Sequence, residues 1–165
     1  YMENESGSLI LKVLPEGNLI GLSALLDGSH VFQYSAYAYQ DSTVRLIDIR
    51  TFKNLIKQNP AFANEVINLL CENQIQLQTR FFAFTKKQSF GRLADTLICL
   101  ACNIYKKDEF EFPLKRRELA ELTGMTTESV IRSMSKLKSD GIIDMDGKTL
   151  KILDRERLQQ ISNFG

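Results

Sequence analysis

The chain has 165 residues, 44% of them apolar and 25% charged, the profile of a water-soluble protein of one or two small domains. Lys and Arg number 21 against 20 Asp and Glu, a net charge of +1 that by itself argues for no partner class. No apolar run approaches the ~18 residues of a membrane span, and the start, YMENESGSLIL, is acidic and polar where a secretory signal needs a basic then an apolar run, so membrane insertion and secretion are not expected.

Residues 9–49 carry strand signals. SLILKVL is an apolar run closed by the turn residues Pro15-Glu16-Gly17. HVFQYSAYAYQDSTVRLIDI is rich in β-branched and aromatic residues, alternates in part, and is divided at Gln40-Asp41-Ser42. Asp27-Gly28-Ser29 marks another turn. Short strands with such punctuation predict a β-sandwich or roll. RTFKNLIKQNP then reads as a short helix that stops at Pro60.

A long helix is predicted from about 60 to 85. Ala63, Ile67, Leu70, Gln74, Leu77, Phe81 and Phe84 follow one another at steps of four and three, a heptad seam kept for three repeats. Val66 and Leu69 widen the apolar face beyond what one partner requires. Packing on both sides, against the β-domain and a second copy of the helix, is therefore expected. Gln74 in the seam favours one register at some cost in stability. The polar TKKQ that follows is read as a hinge.

Ser89 is the expected cap of the next helix, which runs through Leu93, Leu97, Leu100 and Ile104 to Lys106-Lys107. Cys99 and Cys102 form a C-x-x-C inside it, with no second ligand pair. A buried helix face is the expectation for them, not metal or redox chemistry. With Cys71 the thiols number three, an odd, scattered set that suits a reducing, cytoplasmic setting. FEFPL then reads as a brief strand.

KRRELAELTG is a two-turn helix closed by Gly124, which suits a left-handed turn. Ala120 gives the small residue needed where two helices cross. Val130, Met134 and Leu137 are spaced four and three and form the inward face of a second helix. Thr127, Glu128, Ser129 and Arg132 then point outward at its start, the end that enters the major groove in a helix-turn-helix. Arg132 has the donors for guanine O6 and N7, Glu128 the acceptor for cytosine N4, and Glu128 stands four before Arg132, where it can also hold the guanidinium. Thr126 is the expected cap. Arg116, Arg117, Thr126 and Lys136 are candidates for phosphate, with Ser129 in reach of it as well; such contacts position the protein without reading sequence. Strands 142–145 and 149–153 around Asp146-Gly147-Lys148 give a hairpin, hence a wing with Lys148 at its tip. DRERLQQIS closes the chain as a small helix. Residues 86–165 hold fifteen Lys and Arg against twelve Asp and Glu, a weakly basic balance compatible with DNA.

In that order of parts the chain resembles the bacterial Crp/Fnr regulators, the cyclic-AMP receptor superfamily. RRELAELTGMTTESVIRSMSKLKSDGIIDMDGKTLKI is similar to the family's DNA-binding signature, and PEGNLIGLSALLDGS to the loop that leads into its ligand pocket. The resemblance spans about residues 8–154. It implies an α+β fold with part of a cyclic-nucleotide-binding-type β-roll at 1–58, a long dimerisation helix and hinge at 59–87, and a C-terminal winged helix-turn-helix at 88–165. It also implies that further strands of the roll precede this chain.

The same resemblance implies a homodimer on a palindromic double-stranded operator, with RNA polymerase as a further partner. It places the effector pocket at Gly21, Leu22, Tyr34, Ser35, Leu77 and Gln78. Cyclic-nucleotide binders of the family have a glutamate and an arginine where Leu22 and Tyr34 stand; only Ser35 matches. A buried phosphate would lack its charge-assisted partner, so cyclic AMP is not the expected effector, and haem or another apolar effector suits so apolar a pocket. His30, the single histidine, is read as a loop residue rather than a haem ligand. In the reading helix Thr127 and Ile131 depart from the residues common in the family, so a different operator is expected. Metal-dependent enzymes on similar rolls use two or three histidines and a carboxylate; one histidine speaks against that chemistry. The remaining alternative is a winged helix that binds a protein.

Overall fold

The computed structural model describes residues 1–5, 7–28 and 31–164. In chain order the elements are β1 (Met2–Asn4), β2 (Gly7–Leu9), a 3-10 turn (Leu22–Leu25), α1 (Ile49–Gln58), α2 (Pro60–Lys86), α3 (Ser89–Cys99), β3 (Glu109–Glu111), α4 (Arg116–Thr123), α5 (Thr127–Ser139), β4 (Ile143–Asp146), β5 (Thr149–Ile152) and α6 (Arg155–Phe164). It is a mixed fold of small antiparallel sheets, one long helix and a C-terminal winged helix-turn-helix.

The strands expected over 9–49 differ from what forms. β1 and β2 pair as a short hairpin, Met2 opposite Leu9. Beyond Leu9, the described residues up to Asp48 contain no strand. Alternation gives a segment two faces, but a strand persists only where a neighbour takes up its backbone groups. No strand takes up that segment's backbone groups, and several of its apolar residues lie open: Leu46 is 96% exposed, Leu26 and Val31 72%. His30 lies outside the described residues.

α1 and α2 share a junction at Asn59. Asp48 caps α1, its carboxylate accepting from the Thr51 amide at 2.8 Å. Asn59 ends α1 and caps α2 by accepting from the Phe62 amide at 3.1 Å, with Pro60 at the first helical position, where its missing N–H is no loss. Phe52 and Val66 bury where the two helices meet, and the Phe52 and Phe62 rings pack edge to face.

The main core lies in the C-terminal part. Leu93 and Leu97 on α3, Leu119 on α4, Val130 and Leu137 on α5, Leu150 on β5 and Leu158 on α6 are fully buried together. α3 starts one residue earlier than expected: Gln88 is its cap and Ser89 its first residue, with no side-chain cap bond. It continues as a π-helical segment, Leu100–Tyr105, and stops at Lys106, which is left-handed with φ 53°. Cys99 and Cys102 are exposed, not buried. The inward stripe is set by Leu93, Leu97, Leu100 and Ala101, and at ~100° per residue the two cysteines fall off it.

β3, β5 and β4 form a sheet in that order, β5 in the middle, with Phe110 opposite Leu150 and Met145 opposite Leu150 on the other side. The wing strands lie at Ile143–Asp146 and Thr149–Ile152, so the first starts one residue later than expected and the turn shrinks to Gly147-Lys148. Gly147 has φ 56°, the backbone a two-residue hairpin requires.

Candidate nucleic-acid interface

α4 and α5 meet at a turn that only glycine fits. Gly124 has φ 61°, and a Cβ there would stand 3.2 Å from the Phe84 ring. Ala120 is buried at the crossing, and Val130, Met134 and Leu137 face inward. With that face committed, the start of α5 turns out to solvent. Glu128 and Arg132 are exposed, and Thr127 and Ser129 are half-buried.

Thr126 caps α5, its hydroxyl accepting from the Ser129 amide at 3.2 Å. The same hydroxyl donates to Ser129 Oγ at 3.1 Å, and Arg132 Nη2 donates to that oxygen at 3.4 Å. The guanidinium is therefore steadied by Ser129. The expected hold by Glu128 is not formed: no ion pair joins the two, and the Glu128 carboxylate is left to accept from outside.

The phosphate candidates lie around this helix in different states. Arg117 is exposed and pairs with Glu121 at 3.0 Å. Arg116 is half-buried, with Nη2 3.2 Å from the Met145 sulfur. Lys136 sits over the Phe90 ring at 5.2 Å. Lys148 is exposed at the wing tip. α4 is opened by Glu118, whose Oε2 accepts from the Lys115 amide at 2.6 Å. Lys138 pairs with Asp144 at 2.9 Å and donates to the Met145 carbonyl at 2.8 Å, tying the end of α5 to the wing. The Lys138 ammonium holds the Asp144 carboxyl below its usual range.

The α2 seam presents its apolar residues to solvent. Ile67, Leu70, Leu77 and Phe81 are 55%, 42%, 59% and 69% exposed. Gln74 is exposed as well, and Ala63 and Phe84 are half-buried. Of the effector-loop candidates, Gly21 and Tyr34 are joined, the Gly21 amide donating to the Tyr34 hydroxyl at 2.8 Å. Leu22 is in the 3-10 turn. Ser35 exchanges backbone bonds with Tyr1. Leu77 and Gln78 stand exposed on α2. Gly21, Leu22, Tyr34 and Ser35 include no cation, so they do not fit the phosphate of a cyclic nucleotide. Among the described residues no group of three or more His, Cys, Asp or Glu could hold a metal ion.

Sequence reasoning missed two arginines. Arg92, in the first turn of α3, donates from Nε to the Thr123 carbonyl at 3.0 Å, from Nη2 to the Gly124 carbonyl at 3.2 Å and from Nη1 to the Lys87 carbonyl at 3.0 Å. Arg80, on α2, donates to the carbonyls of Ile10, Leu11 and Leu122. Burial works against its charge and pulls it down to about 10, so it remains a cation at neutral pH. A signal for Arg92 was available: a cation in a first helical turn opposes the helix dipole, which asks for partners elsewhere.

Residues 91–161 match the Crp-like helix-turn-helix domain. The chain is 26% identical to the transcriptional regulatory protein btr of Bordetella pertussis, over 97% of this chain and 67% of that protein. It is 24% identical to the transcriptional activator protein anr of Pseudomonas aeruginosa, over 82% and 57%. Its fold superimposes on FixK2 from Bradyrhizobium japonicum with a TM-score of 0.65 at 18% identity, covering 68% of this chain and 57% of that one. The chain thus spans between 57% and 67% of the length of these proteins. No helix among the described residues is long and apolar enough to cross a membrane. The winged helix-turn-helix and these matches make the chain similar to the Crp/Fnr regulators, with a Crp-like helix-turn-helix domain at residues 91–161.

Proposed function

We propose that this chain is a sequence-specific, DNA-binding transcription regulator of the Crp/Fnr type that works as a homodimer in the cytoplasm. The observation that carries the reading is the start of α5. Its inward face is fixed by Val130, Met134 and Leu137, while Glu128 and Arg132 stand exposed where a major groove would meet them. Thr127, Glu128, Ser129 and Arg132 read bases. Arg116, Arg117, Thr126, Lys136 and Lys148 meet phosphates on the flanks and at the wing. Two copies pair along α2 through the exposed seam, which sets the two reading helices about one helical turn apart, ~34–36 Å. Control comes from an effector at the loop around Gly21 and Tyr34, and an apolar ligand such as haem suits it better than cyclic AMP. RNA polymerase is a further partner, as the resemblance implies. The relatives are named as transcription regulators, not as enzymes.

Selection of bound sequences from random duplex DNA tests this. The expected result is a palindrome, with binding that weakens steeply as salt rises because phosphate contacts release counterions. Arg132→Ala then loses preference at one base pair per half-site, ~1–3 kcal/mol of discrimination. Recovery of no sequence preference, with a shallow salt slope, would point to a winged helix that binds a protein instead.

A further inference from the structure

A helix ends with carbonyls that have no partner within it. α4 stops at Thr123, and what satisfies its last carbonyls comes from three other parts of the chain. The Glu121 carbonyl accepts from the Ile10 amide at 3.3 Å. The Leu122 carbonyl accepts from Arg80 on α2. The Thr123 and Gly124 carbonyls accept from Arg92 on α3. Phe84, near the end of α2, presses its ring on Gly124, and Arg80 lies over that ring at 5.1 Å. The turn between the two helices of the reading head is thus gripped by the end of the stalk.

Arg92 is the piece that spans both sides. Its Nη1 donates to the Lys87 carbonyl, the residue that ends α2, while Nε and Nη2 hold the turn. Lys87 is fastened a second time, its ammonium 2.6 Å from Asp95 Oδ2, and Asp95 in turn accepts from the buried Ser162 hydroxyl of α6. A guanidinium carries its donors in a rigid fork. Three bonds from one such fork to two segments leave little freedom for the angle between them.

We infer that Arg92 is a positioning residue for DNA recognition: it sets the angle at which α5 leaves the stalk, and so the separation of the two reading helices. The inference rests on the DNA-binding reading proposed above. Arg92 itself touches no base. Its effect belongs to the pair of half-sites, not to either one.

The experiment uses the full chain and two sets of duplexes, one bearing a single half-site and one bearing two half-sites at varied separations. Wild-type protein is compared with Arg92→Ala and with Arg92→Lys, which keeps the charge and loses the fork. Thermal melting shows that each variant is folded; if Arg92→Ala is not, Arg92→Lys carries the same comparison. The expected result is unchanged affinity for a single half-site. Affinity for the paired site falls roughly 3- to 30-fold, the range of coupling changes seen along such networks, and the preference for one separation broadens. The inference is overturned if the variants keep the wild-type separation preference and paired-site affinity. It is equally overturned if single-site binding falls as much as paired-site binding, since Arg92 would then act only within the head. Absence of any sequence preference in the wild-type protein is a different outcome, and it overturns the DNA-binding reading on which the inference stands.

Discussion

Leu137 and Leu46 are the same residue type in opposite circumstances: the first is fully buried, the second 96% exposed. They stand for two regions. From Leu93 to Leu158 the chain builds a core from its own residues, and all but three of the buried apolar side chains, Ile10, Phe52 and Val66, lie there. From about residue 11 to 48 the apolar residues find little to bury against, and on α2 a row of them faces water. A helix satisfies its backbone within itself and needs only one face covered. A strand satisfies none of its backbone groups within itself and depends on neighbours for them. The head therefore packs largely on itself, while the front segment and the stalk have surfaces whose worth depends on what meets them.

The widest gap between the regions is expected on truncating these two leucines. Leu137→Ala should cost about 2–5 kcal/mol in denaturant melts, the toll of a cavity in a packed core, while Leu46→Ala should stay within about 0.5 kcal/mol. Equal costs would show that Leu46 is covered in solution and would erase the contrast. Next in size is Phe81→Glu on the open seam. A carboxylate buried between two helices is strongly unfavourable, so self-association measured by sedimentation should weaken about tenfold or more, with the head's melting unchanged. A dimer that survives this variant uses another face.

The smallest effect sharpens the comparison where the two regions touch. Tyr39, in the front segment, packs against the head's core. Burial first, then Glu118 and Glu121, raises its phenol from 10.0 to about 12. The folded chain keeps that proton where the unfolded chain has released it. Stability from this group is complete below about pH 10 and is lost as pH climbs through about 12. Tyr39→Phe should flatten the decline in stability across that window, and an unchanged slope would mean that Tyr39 is not docked.

What could be read from the sequence follows the same division. Thr126 announces a helix start, Gly124 a helix end, and the four-and-three spacing of Val130, Met134 and Leu137 an inward face; all are local signals, and all are present in the fold. The exposure of Glu128 and Arg132 follows from that face. The strands expected over 9–49 were misjudged because alternation is local but pairing is not. Cys99 and Cys102 were misplaced because an apolar run on a helix says little about which residues face inward until the stripe through Leu93, Leu97 and Leu100 is fixed. Arg80 and Arg92 bond to carbonyls 42 and 31 residues away, a relation that no spacing rule reaches. The Ser129 support of Arg132 was missed for a smaller reason: the capping hydroxyl of Thr126 draws Ser129 inward, where it intercepts the guanidinium ahead of Glu128.

The middle strand of the three-stranded sheet belongs to the wing. β5 is laced to β3 on one side and β4 on the other, so the wing is a short stiff spoke and not a loose flap. Its reach is quantised. One added residue in each strand near the tip carries Lys148 outward by ~3.4 Å and leaves Leu150 and Ile152 where they are, but it turns the tip over, because side chains alternate faces at every residue. Two residues per strand is the smallest lengthening that keeps the turn's own facing, and natural variation in wing length should therefore come in such even steps.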